Sequence, residues 1–403
     1  MAVMVQKYGG TSVGSAERIE KVADRVAKTY ANGHQVAVVV SAMGHTTDEL
    51  VELANAISSD PDRREMDVLL STGEQVTIAL LSMALIKRGL KAASFTGWQA
   101  GIQTEAVHGA ARISEIHTES LLDWMKRGGI PVIAGFQGIA DGAITTLGRG
   151  GSDTTAVAVA AAIQADLCEI YTDVEGVYTA DPRFIKGARR LDRISYEEML
   201  ELANLGSQVL HPRAVETAKK HGVALVVRST FSQNEGTVIT EMKTMESERV
   251  VTGVAFEKEV ARIALLGIPL ETPQLSHIFS ALAKEQVNVD VIVQSVVREG
   301  EVDVSFTVME GDVDHAIEVC EGMMEETKHK GVFHEKGLAK ISIVGAGMIS
   351  NPGVAAKMFT ALESSGAHVK MVSTSEIKVS CVIDNDFLQA GLEKVHEAFE
   401  LDQ

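Results

Sequence analysis

The stretch Lys7-Tyr-Gly-Gly-Thr-Ser-Val-Gly14 overlaps the end of the apolar run Val3–Tyr8 and precedes a segment with helical periodicity. Its glycines let backbone N–H groups approach an anion, and the next helix presents the positive end of its dipole. Lys7 adds a cation for phosphate oxygens. The stretch favours a phosphate site, although a glycine turn after a strand is also an ordinary connection. It lacks the GxxxxGKS/T order of a Walker A loop.

The same order of strand and glycine-rich turn recurs up to about residue 240. Strand candidates, mostly separated by helical stretches, are Val3–Tyr8, Gln35–Ser41, Ile130–Gly135, Leu167–Thr172 and Ala224–Ser229. This alternation predicts an α/β fold, an αβα sandwich whose central sheet is mainly parallel. Ligands of such sheets lie beyond the carboxyl ends of the strands, so the glycine-rich segments there are the candidate sites.

Length and charge limit the domain number and the partners. The chain has 403 residues, which predicts two or three domains. Its formal net charge is −18, and no run of Lys or Arg interrupts the acidic character. Such a chain repels nucleic acid and anionic membranes at long range, so we expect neither as a partner.

The cysteines and the first residues indicate the compartment. Cys168, Cys320 and Cys381 are odd in number and far apart, which predicts neither a disulfide framework nor a zinc site. The chain enters a strand pattern without a basic leader, and no apolar stretch reaches the roughly 20 residues of a membrane span. We therefore expect a cytoplasmic protein.

The C-terminal part contains an internal repeat. Ile263–Gly267 matches Ile341–Gly345 at an offset of 78 residues, and Ile278–Leu282 matches Met358–Leu362 at an offset of 80. Each copy has the order strand, loop, helix, strand of a βαββαβ unit. The repeat predicts two α+β ferredoxin-like modules.

These patterns set the expected domain boundaries. We predict a catalytic domain over residues 1–235, a polar linker over 236–258, a first module over 259–332 and a second over 333–403. The final strand of the chain could pack back on the first module. Pairing of these modules in a homo-oligomer would cover sheet edges that are otherwise exposed.

A second glycine-rich segment, Gly148-Arg-Gly-Gly-Ser-Asp-Thr-Thr155, precedes an alanine-rich helix. It places Arg149 and Asp153 at one helix entrance together with several N–H donors. An acidic residue here also serves simply as a helix cap. A guanidinium beside a glycine-rich loop suits a substrate carboxylate, so the pair indicates an amino-acid site.

A third segment, Tyr171-Thr-Asp-Val-Glu-Gly-Val-Tyr-Thr-Ala-Asp-Pro-Arg183, follows the apolar strand Leu167–Ile170. Its turn formers are explained equally well by a surface turn. It adds an aromatic ring, Tyr178, and a cation, Arg183, which suit an adenine ring and a phosphate.

Taken together, these segments form an ordered set of motifs. The set is KYGGTSVG, SAMGHTTD (Ser41–Asp48), STGEQ (Ser71–Gln75), GFQG (Gly135–Gly138), TTLGRGGSDTTA and YTDVEGVYTADPR. In this order it resembles the aspartate kinases, and the C-terminal repeat resembles paired ACT modules. The resemblance covers essentially the whole chain and implies the amino-acid kinase fold.

The resemblance implies a reaction. Aspartate kinases convert ATP and L-aspartate to 4-phospho-L-aspartate and ADP, the first step towards lysine, threonine and methionine. The alternatives are another amino-acid kinase, acting on glutamate or acetylglutamate, and a catalytically silent ACT sensor. GRGGSD together with the ACT repeat disfavours the first alternative, and the joint presence of Lys7, Glu74, Arg149 and Asp153 disfavours the second.

The resemblance also assigns residue roles. Lys7 stabilises the transferring phosphoryl group and Asp153 orients Lys7, so these two are the catalytic candidates. Glu74 receives the substrate ammonium group and Arg149 its α-carboxylate. The remaining substrate-binding candidates are Ser41, Thr47, Gly150, Gly151 and Ser152, and those for ATP are Lys7, Tyr8, Gly9, Gly10, Thr172, Asp173, Tyr178 and Arg183.

One of these assignments, that of Glu74, has an ordinary structural alternative, and two further positions bear on the predicted site. Glu74, at the expected start of a long apolar helix, could merely favour the helix dipole. Gln208 stands where related sequences often carry a lysine near ATP, and His211 is expected to be structural. Mg²⁺ is expected to be held mainly by phosphates and water, with no metal site on the protein.

The ACT resemblance implies control by an end-product amino acid. The second copy keeps the effector loop as Ser350-Asn-Pro-Gly-Val354, whereas Leu270-Glu-Thr-Pro-Gln274 in the first lacks the usual acid and glycine. This difference favours lysine over threonine as inhibitor. The effector-site candidates are Asn288, Val289, Asp290, Gln294, Ser350, Asn351, Val369, Thr374 and Ser375, and Met242 or Met245 could start a second, shorter subunit.

Overall fold

A computed structural model of the chain describes residues 2–207, 209–242, 249–270 and 274–403. The described residues form two compact units. The first contains the chain up to Val177, Arg190–Ala203 and the segment that ends in the last strand of its sheet. The second contains Tyr178–Arg189, Asn204–Ser207 and the C-terminal residues.

The first unit alternates strands and helices as the sequence predicts. Its elements are β1 (Val3–Tyr8), α1 (Ala16–Ala31), β2 (Gln35–Val40), α2 (Thr46–Ile57), α3 (Arg63–Lys87), β3 (Ala92–Phe95), β4 (Ile102–Thr104), β5 (Ile113–Ile116), α4 (Glu119–Lys126), β6 (Ile130–Ala134), β7 (Gln137–Ala140), β8 (Ala143–Thr146), α5 (Gly151–Ala162), β9 (Leu167–Thr172), β10 (Arg193–Ser195), α6 (Tyr196–Asn204), α7 (Pro212–His221), β11 (Leu225–Ser229) and β12 (Thr237–Thr240).

The central sheet of this unit has the strand order β10-β12-β11-β9-β1-β2-β6-β3. All of its pairings are parallel except β11 with β12. Residues 36–40 of β2 are all buried, and because side chains alternate between faces, both faces of the sheet are covered. Val22 of α1 and Leu81 of α3 belong to this core. The predicted α/β class with a mainly parallel sheet is confirmed.

A smaller four-stranded sheet, with the order β5-β4-β7-β8, lies in the same unit. Its last strand, β8, ends at Thr146, immediately before the Leu147–Gly150 turn that leads into α5. The small sheet therefore places the turn that contains Arg149 at the start of α5. This turn is the first part of the second glycine-rich motif.

The second unit contains both repeat copies. Its elements are β13 (Gly253–Pro269), α8 (Gln274–Lys284), β14 (Ile292–Gln294), β15 (Glu301–Met309), α9 (Val313–Gly322), α10 (Met324–Thr327), β16 (Gly331–Val344), α11 (Val354–Ser364), β17 (Met371–Thr374), β18 (Lys378–Asp384) and α12 (Leu388–Ala398). The strands form one antiparallel sheet with the order β14-β15-β13-β16-β18-β17.

The boundary between the two copies differs from the expectation. β13 and β16 are long strands, and each runs through both modules. The first residues of β13, from Gly253, pair with the end of β16 beside β18, so they complete the sheet of the second module. The expected packing of the final strand on the first module is not seen among the described residues, because β18 pairs with β17 and with the Leu338–Val344 part of β16.

The predicted linker over residues 236–258 also contains regular structure. Thr237–Thr240 forms β12 of the kinase sheet, and β13 already begins at Gly253. Of the residues between these strands, those that the structure describes, 241–242 and 249–252, belong to neither sheet.

The long helix α3 passes a length and hydropathy test for a membrane span, but half of its apolar window is buried inside the unit. It begins at Arg63, capped by the Asp62 side chain, which accepts a hydrogen bond from the Glu65 amide. Glu74 therefore lies in the middle of this helix. The expectation that Glu74 lies at a helix start is wrong. Glu74 therefore cannot be explained by a favourable interaction with the helix dipole, which acts within the first turn.

Candidate active site

One cavity of about 740 Å³ lies in the first unit, beside the ends of β1 and β2 and the start of α5. The residues predicted to bind substrate or act in catalysis line it together. These residues are Lys7, Ser41, Thr47, Glu74, Arg149, Gly150, Gly151, Ser152 and Asp153, and the lining also includes Gly10 from the predicted ATP-binding residues. Segments up to 146 residues apart in sequence thus meet at one place, as the rule for parallel sheets requires.

Lys7 and Asp153 form an ion pair at the cavity. Lys7 Nζ lies 2.5 Å from Asp153 Oδ1, and the two side chains are only 10% and 13% exposed. Lys7 is the fifth residue of β1 and Asp153 the third of α5. The Lys7 ammonium group is thereby held at the carboxyl end of β1, where a phosphoryl group could reach it.

The turn that precedes α5 depends on Gly150. This residue caps α5 in the left-handed region with a φ of 68°, and a Cβ there would come within 2.1 Å of the His211 ring. His211 Nδ1 accepts a hydrogen bond from the Arg213 amide at 3.3 Å and so caps α7. Burial lowers the pKa of His211. These contacts give His211 a structural role beside the turn.

Arg149 is exposed at the cavity, next to Gly150. Within the described residues, no acidic side chain pairs with its guanidinium. A second arginine supports the backbone of this turn, since Arg213 donates to the carbonyl oxygens of Leu147 at 2.6 Å and Ala111 at 2.9 Å. The turn is therefore anchored while the Arg149 side chain can reach a ligand.

Glu74 reaches the cavity wall from α3 and is 3% exposed. Its Oε1 accepts a hydrogen bond from the Ala42 amide at 3.3 Å, whereas Oε2 is buried and has no hydrogen-bond partner among the described residues. Burial raises the pKa of this carboxyl to about 8, an effect that its hydrogen bonds only partly offset. A buried acceptor without a partner at a cavity wall suits a cationic group of a ligand.

The expected phosphate-binding amides at the end of β1 are not all available. The Gly9 amide donates to the Tyr171 carbonyl at 3.1 Å, and the Ser41 amide donates to the Tyr8 carbonyl at 3.1 Å. Sheet pairing continues past the strand ends and uses both donors. The Gly9 and Ser41 amides are therefore not free for phosphate, and the Gly10 amide and the Ser41 hydroxyl remain as donors.

Tyr8 contributes little through its side chain. The ring is fully buried and stacks on Tyr171 with the ring centroids 4.8 Å apart, and its hydroxyl donates to Gln6 Oε1. Only the Tyr8 backbone can therefore contact a nucleotide.

The other residues predicted to bind ATP fall in both units. Thr172 ends β9 of the first unit and donates through Oγ1 to Asp173 at 3.0 Å. Tyr178 and Arg183 belong to the second unit, where Arg183 forms a two-pronged ion pair with Asp181. None of the four lines the cavity.

The segment Tyr178–Arg189 is packed into the core of the second unit. Ala180 and Ile185 join the hydrophobic cluster of the second repeat copy, and Phe184 meets the Phe256 ring edge-on. Thr179 is hydrogen-bonded to His396 Nε2 at 3.1 Å. A segment expected to serve the nucleotide is thus part of the same core as the second ACT copy.

Sequence reasoning missed two functional candidates on the cavity wall, Asp67 and His108. Asp67 is a charged residue on the apolar helix α3, which was a signal of a buried polar contact. His108 lies in a connection without a regular pattern. Their partnership joins positions 41 residues apart, which a single sequence does not reveal.

The effector candidates lie in the second unit, where all are exposed except the half-buried Val289 and Val369. Asp290 forms an ion pair with Lys340, a residue of β16 whose side chain is 5% exposed and which also pairs with Glu257 at 2.7 Å. In the second copy, Asn351 donates to the Gly347 carbonyl at 2.8 Å and fixes the loop that begins α11. The others are Asn288, Val289 and Gln294 near β14, and Ser350, Val369, Thr374 and Ser375 around the second copy.

Two predictions concern residues outside the described ranges, Gln208 near the ATP site and Met245 as a start site. Met242 is described and exposed. No group of three or more His, Cys, Asp or Glu that could hold a metal ion occurs in residues 2–207, 209–242, 249–270 and 274–403.

The comparisons with known proteins agree with this architecture. The amino acid kinase family matches residues 2–229, and the ACT domain matches residues 275–323 and 341–399. The fold and the site define an amino acid kinase with a C-terminal ACT unit.

Relatives that match over the full length of the chain identify its family within the amino acid kinases. The chain is 57% identical to the aspartokinase of Bacillus sp. (strain MGA3) and 54% identical to aspartokinase 2 of Bacillus subtilis (strain 168), each over 100% of this chain and 98% of the relative. The chain belongs to the aspartokinase family, whose members are ATP-dependent kinases acting on the aspartate carboxyl group.

Solved structures show the same relationship. The crystal structure of aspartate kinase from Synechocystis is 46% identical with a TM-score of 0.56, and the match covers 99% of this chain and 70% of that one. E. coli aspartokinase III in complex with lysine and aspartate is 25% identical with a TM-score of 0.78, covering 98% and 99%. The predicted family is confirmed.

Proposed function

We propose that L-aspartate binds in the cavity of the first unit with its ammonium group on Glu74 and its α-carboxylate on Arg149. Its side-chain carboxylate then faces Lys7. The observation that carries this proposal is that a buried acceptor without a partner, an exposed guanidinium and the Lys7–Asp153 pair line one cavity. These charges are complementary to those of an amino acid with two carboxylates. Ser41, Thr47, Gly151 and Ser152 complete the pocket.

Phosphoryl transfer then depends on position and charge. The aspartate side chain is already anionic at neutral pH, so it needs no general base to attack the γ-phosphorus. Lys7 stabilises the charge on the phosphoryl oxygens, and Asp153 orients Lys7. Gly10, Thr172 and Asp173, which all belong to the first unit, serve the nucleotide.

Mg²⁺ accompanies ATP and neutralises phosphate charge when it is bound. Asp153, which lines the cavity beside Lys7, would hold the ion through water. This arrangement fits a metal held mainly by phosphates, because the described residues contain no group of three or more His, Cys, Asp or Glu that could hold an ion.

Binding of aspartate should become tighter as the pH rises from about 6.5 to about 8. Glu74, with a pKa of about 8 in the free enzyme, is mostly protonated at the lower pH and must lose its proton to receive an ammonium group. The dissociation constant should fall by up to roughly tenfold per pH unit and level off above pH 8. Calorimetry in buffers of different ionisation enthalpy measures this proton release directly.

Glu74→Gln should weaken binding and remove the pH dependence. Glu198→Gln is the matched control, because Glu198 is also buried but serves the α6 cap and does not line the cavity. It should keep the wild-type dependence. Aspartate binding by the wild-type protein without proton release would contradict the role of Glu74.

Lysine is the proposed inhibitor, and it acts on the second unit. The proposed pathway leads to lysine, threonine and methionine, and its proposed location is the cytoplasm. The retained loop of the second copy supports inhibition by lysine, as does the lysine complex of E. coli aspartokinase III. The Asp290 carboxylate already holds the Lys340 ammonium group, so an effector ammonium would compete with it there. Inhibition requires tighter binding of lysine to a low-activity arrangement.

Lysine alone should inhibit turnover and give a calorimetric binding signal, whereas threonine alone should do neither. Asn351→Ala should weaken inhibition, because the loop that begins α11 loses its bond to Gly347. Asn385→Ala, an exposed asparagine elsewhere in the same copy, should leave inhibition intact. Inhibition by threonine with no effect of lysine would contradict the proposal.

The second unit is also the proposed contact between copies of the chain. Its sheet has β14 and β17 at its edges, and Ile292 and Val293 of β14 are exposed. Unpaired edges of this kind are covered in stable proteins, and a second ACT unit would cover them. The shorter subunit that starts at Met242 or Met245 remains a prediction. Expression of the untagged native gene that gives a single full-length band would exclude it.

A further inference from the structure

The carboxylate of Asp67 lies at the cavity wall but has no part in the proposed binding of aspartate. Its side chain is 1% exposed. Oδ2 lies 2.7 Å from His108 Nδ1, and Oδ1 accepts from Thr146 Oγ1 at 2.5 Å. The Gly109 amide donates to both oxygens, at 3.1 and 3.2 Å. A buried carboxylate is thus fully used by three separate residues.

Those residues belong to two segments that form one side of the cavity. His108 and Gly109 lie in the connection between β4 and β5, and Thr146 is the last residue of β8, three positions before Arg149. The Ala111 amide donates to the Thr146 carbonyl at 2.9 Å. Asp67 therefore ties the connection to the strand that carries the arginine turn.

The packing of the two segments is close. A Cβ on Gly148 would lie 3.0 Å from the Gly109 carbonyl oxygen, and Arg213 bridges the carbonyls of Ala111 and Leu147. A shift of the connection would therefore move the turn that presents Arg149.

Asp67 also fixes the His108 ring. With Nδ1 held by the carboxylate, the ring has its Nε2 for another partner. The His108 side chain is 27% exposed and lines the cavity together with Arg149. A buried carboxylate that accepts from Nδ1–H fixes the orientation of the ring.

We propose that Asp67 is a positioning residue for the amino-acid substrate: its carboxylate accepts from Nδ1–H of His108, and His108, as the doubly protonated imidazolium, donates from Nε2–H to the substrate α-carboxylate beside Arg149. The inference rests on the proposed placement of aspartate, because it assigns the α-carboxylate to that side of the cavity. A purely structural Asp67 would stabilise the unit but would leave the affinity for aspartate unchanged.

The test is a comparison of KM values for aspartate and ATP in Asp67→Asn, His108→Gln and the double variant. Each single change should raise the KM for aspartate by about tenfold and leave the KM for ATP within about twofold. The double variant should be no worse than the poorer single variant, since both changes remove one interaction. His108 is partly exposed, so its variant tests the proposal even if Asp67→Asn folds poorly.

Glu198→Gln is the control for the loss of a buried carboxylate. It should lower the melting temperature and leave both KM values unchanged. If His108→Gln leaves the KM for aspartate unchanged, or if the two single effects are additive, the proposed pair is overturned. Arg149→Lys, measured in the same assay, separates the two claims: an unchanged KM for aspartate in that variant contradicts the substrate placement itself.

Discussion

Lys7→Met should lower kcat by a factor of about 10³ at saturating ATP and aspartate. Methionine keeps the length of the side chain but removes the charge that faces the transferring phosphoryl group. The ion pair of Lys7 with Asp153 shows that a strand end and a helix start hold the ammonium group in place. The measurement is the rate of ADP release in a coupled assay, with thermal unfolding as a check on folding.

The Lys7 variant leaves Asp153 without its cation, so a loss of stability accompanies the loss of activity. The double change Lys7→Met with Asp153→Asn should recover stability but not turnover. Lys21→Met is a matched control, because Lys21 is exposed and pairs with Glu17 on α1. A kcat for Lys7→Met within about tenfold of the wild-type value would contradict the assigned role.

Arg149→Ala should raise the KM for aspartate by about 10- to 100-fold, which corresponds to the loss of hydrogen bonds to a charged group. The KM for ATP should stay within about twofold. The expectation follows from the exposed guanidinium on an anchored turn at the cavity. Initial rates measured over a range of aspartate concentrations give the result.

Arg127→Ala is the control for the loss of an arginine in the same unit, since Arg127 is exposed beside Asp123 at the end of α4. It should leave both KM values unchanged. A rise confined to the KM for ATP in Arg149→Ala would instead place this guanidinium on the nucleotide.

Much of the fold follows from local pattern. The β-branched runs gave strands such as Val3–Tyr8 and Leu167–Thr172 with the bounds that the structure has. The glycine-rich ends of these strands marked one side of the cavity, because parallel strands bring their carboxyl ends to one edge. The meeting of Lys7 with Asp153 is a consequence of that edge.

Features that depend on the pairing of distant segments could not be predicted from the sequence. The Gly9 amide looks available in the sequence, but the register of β1 with β9 commits it to Tyr171. The single strand β13 serves both ACT copies, and no local signal distinguishes a shared strand from two separate ones.

The same limit explains the errors at α3. Glu74 was expected at the start of a long apolar helix, yet Asp62 caps the helix eleven residues before Gly73, and tertiary packing of the helix outweighs the cost of one glycine. Asp67 and His108 meet only because α3 and the β4–β5 connection pack side by side. Long-range contacts of this kind leave no periodicity.

A crystal structure of the protein with aspartate and a non-hydrolysable ATP analogue tests the orientation of aspartate in the cavity most directly. We expect the ammonium group on Glu74, the α-carboxylate on Arg149 and the side-chain carboxylate facing Lys7 and the γ-phosphate, each polar contact at about 3 Å. Aspartate bound in the reverse direction, with its side-chain carboxylate on Arg149, or bound outside this cavity would contradict the account.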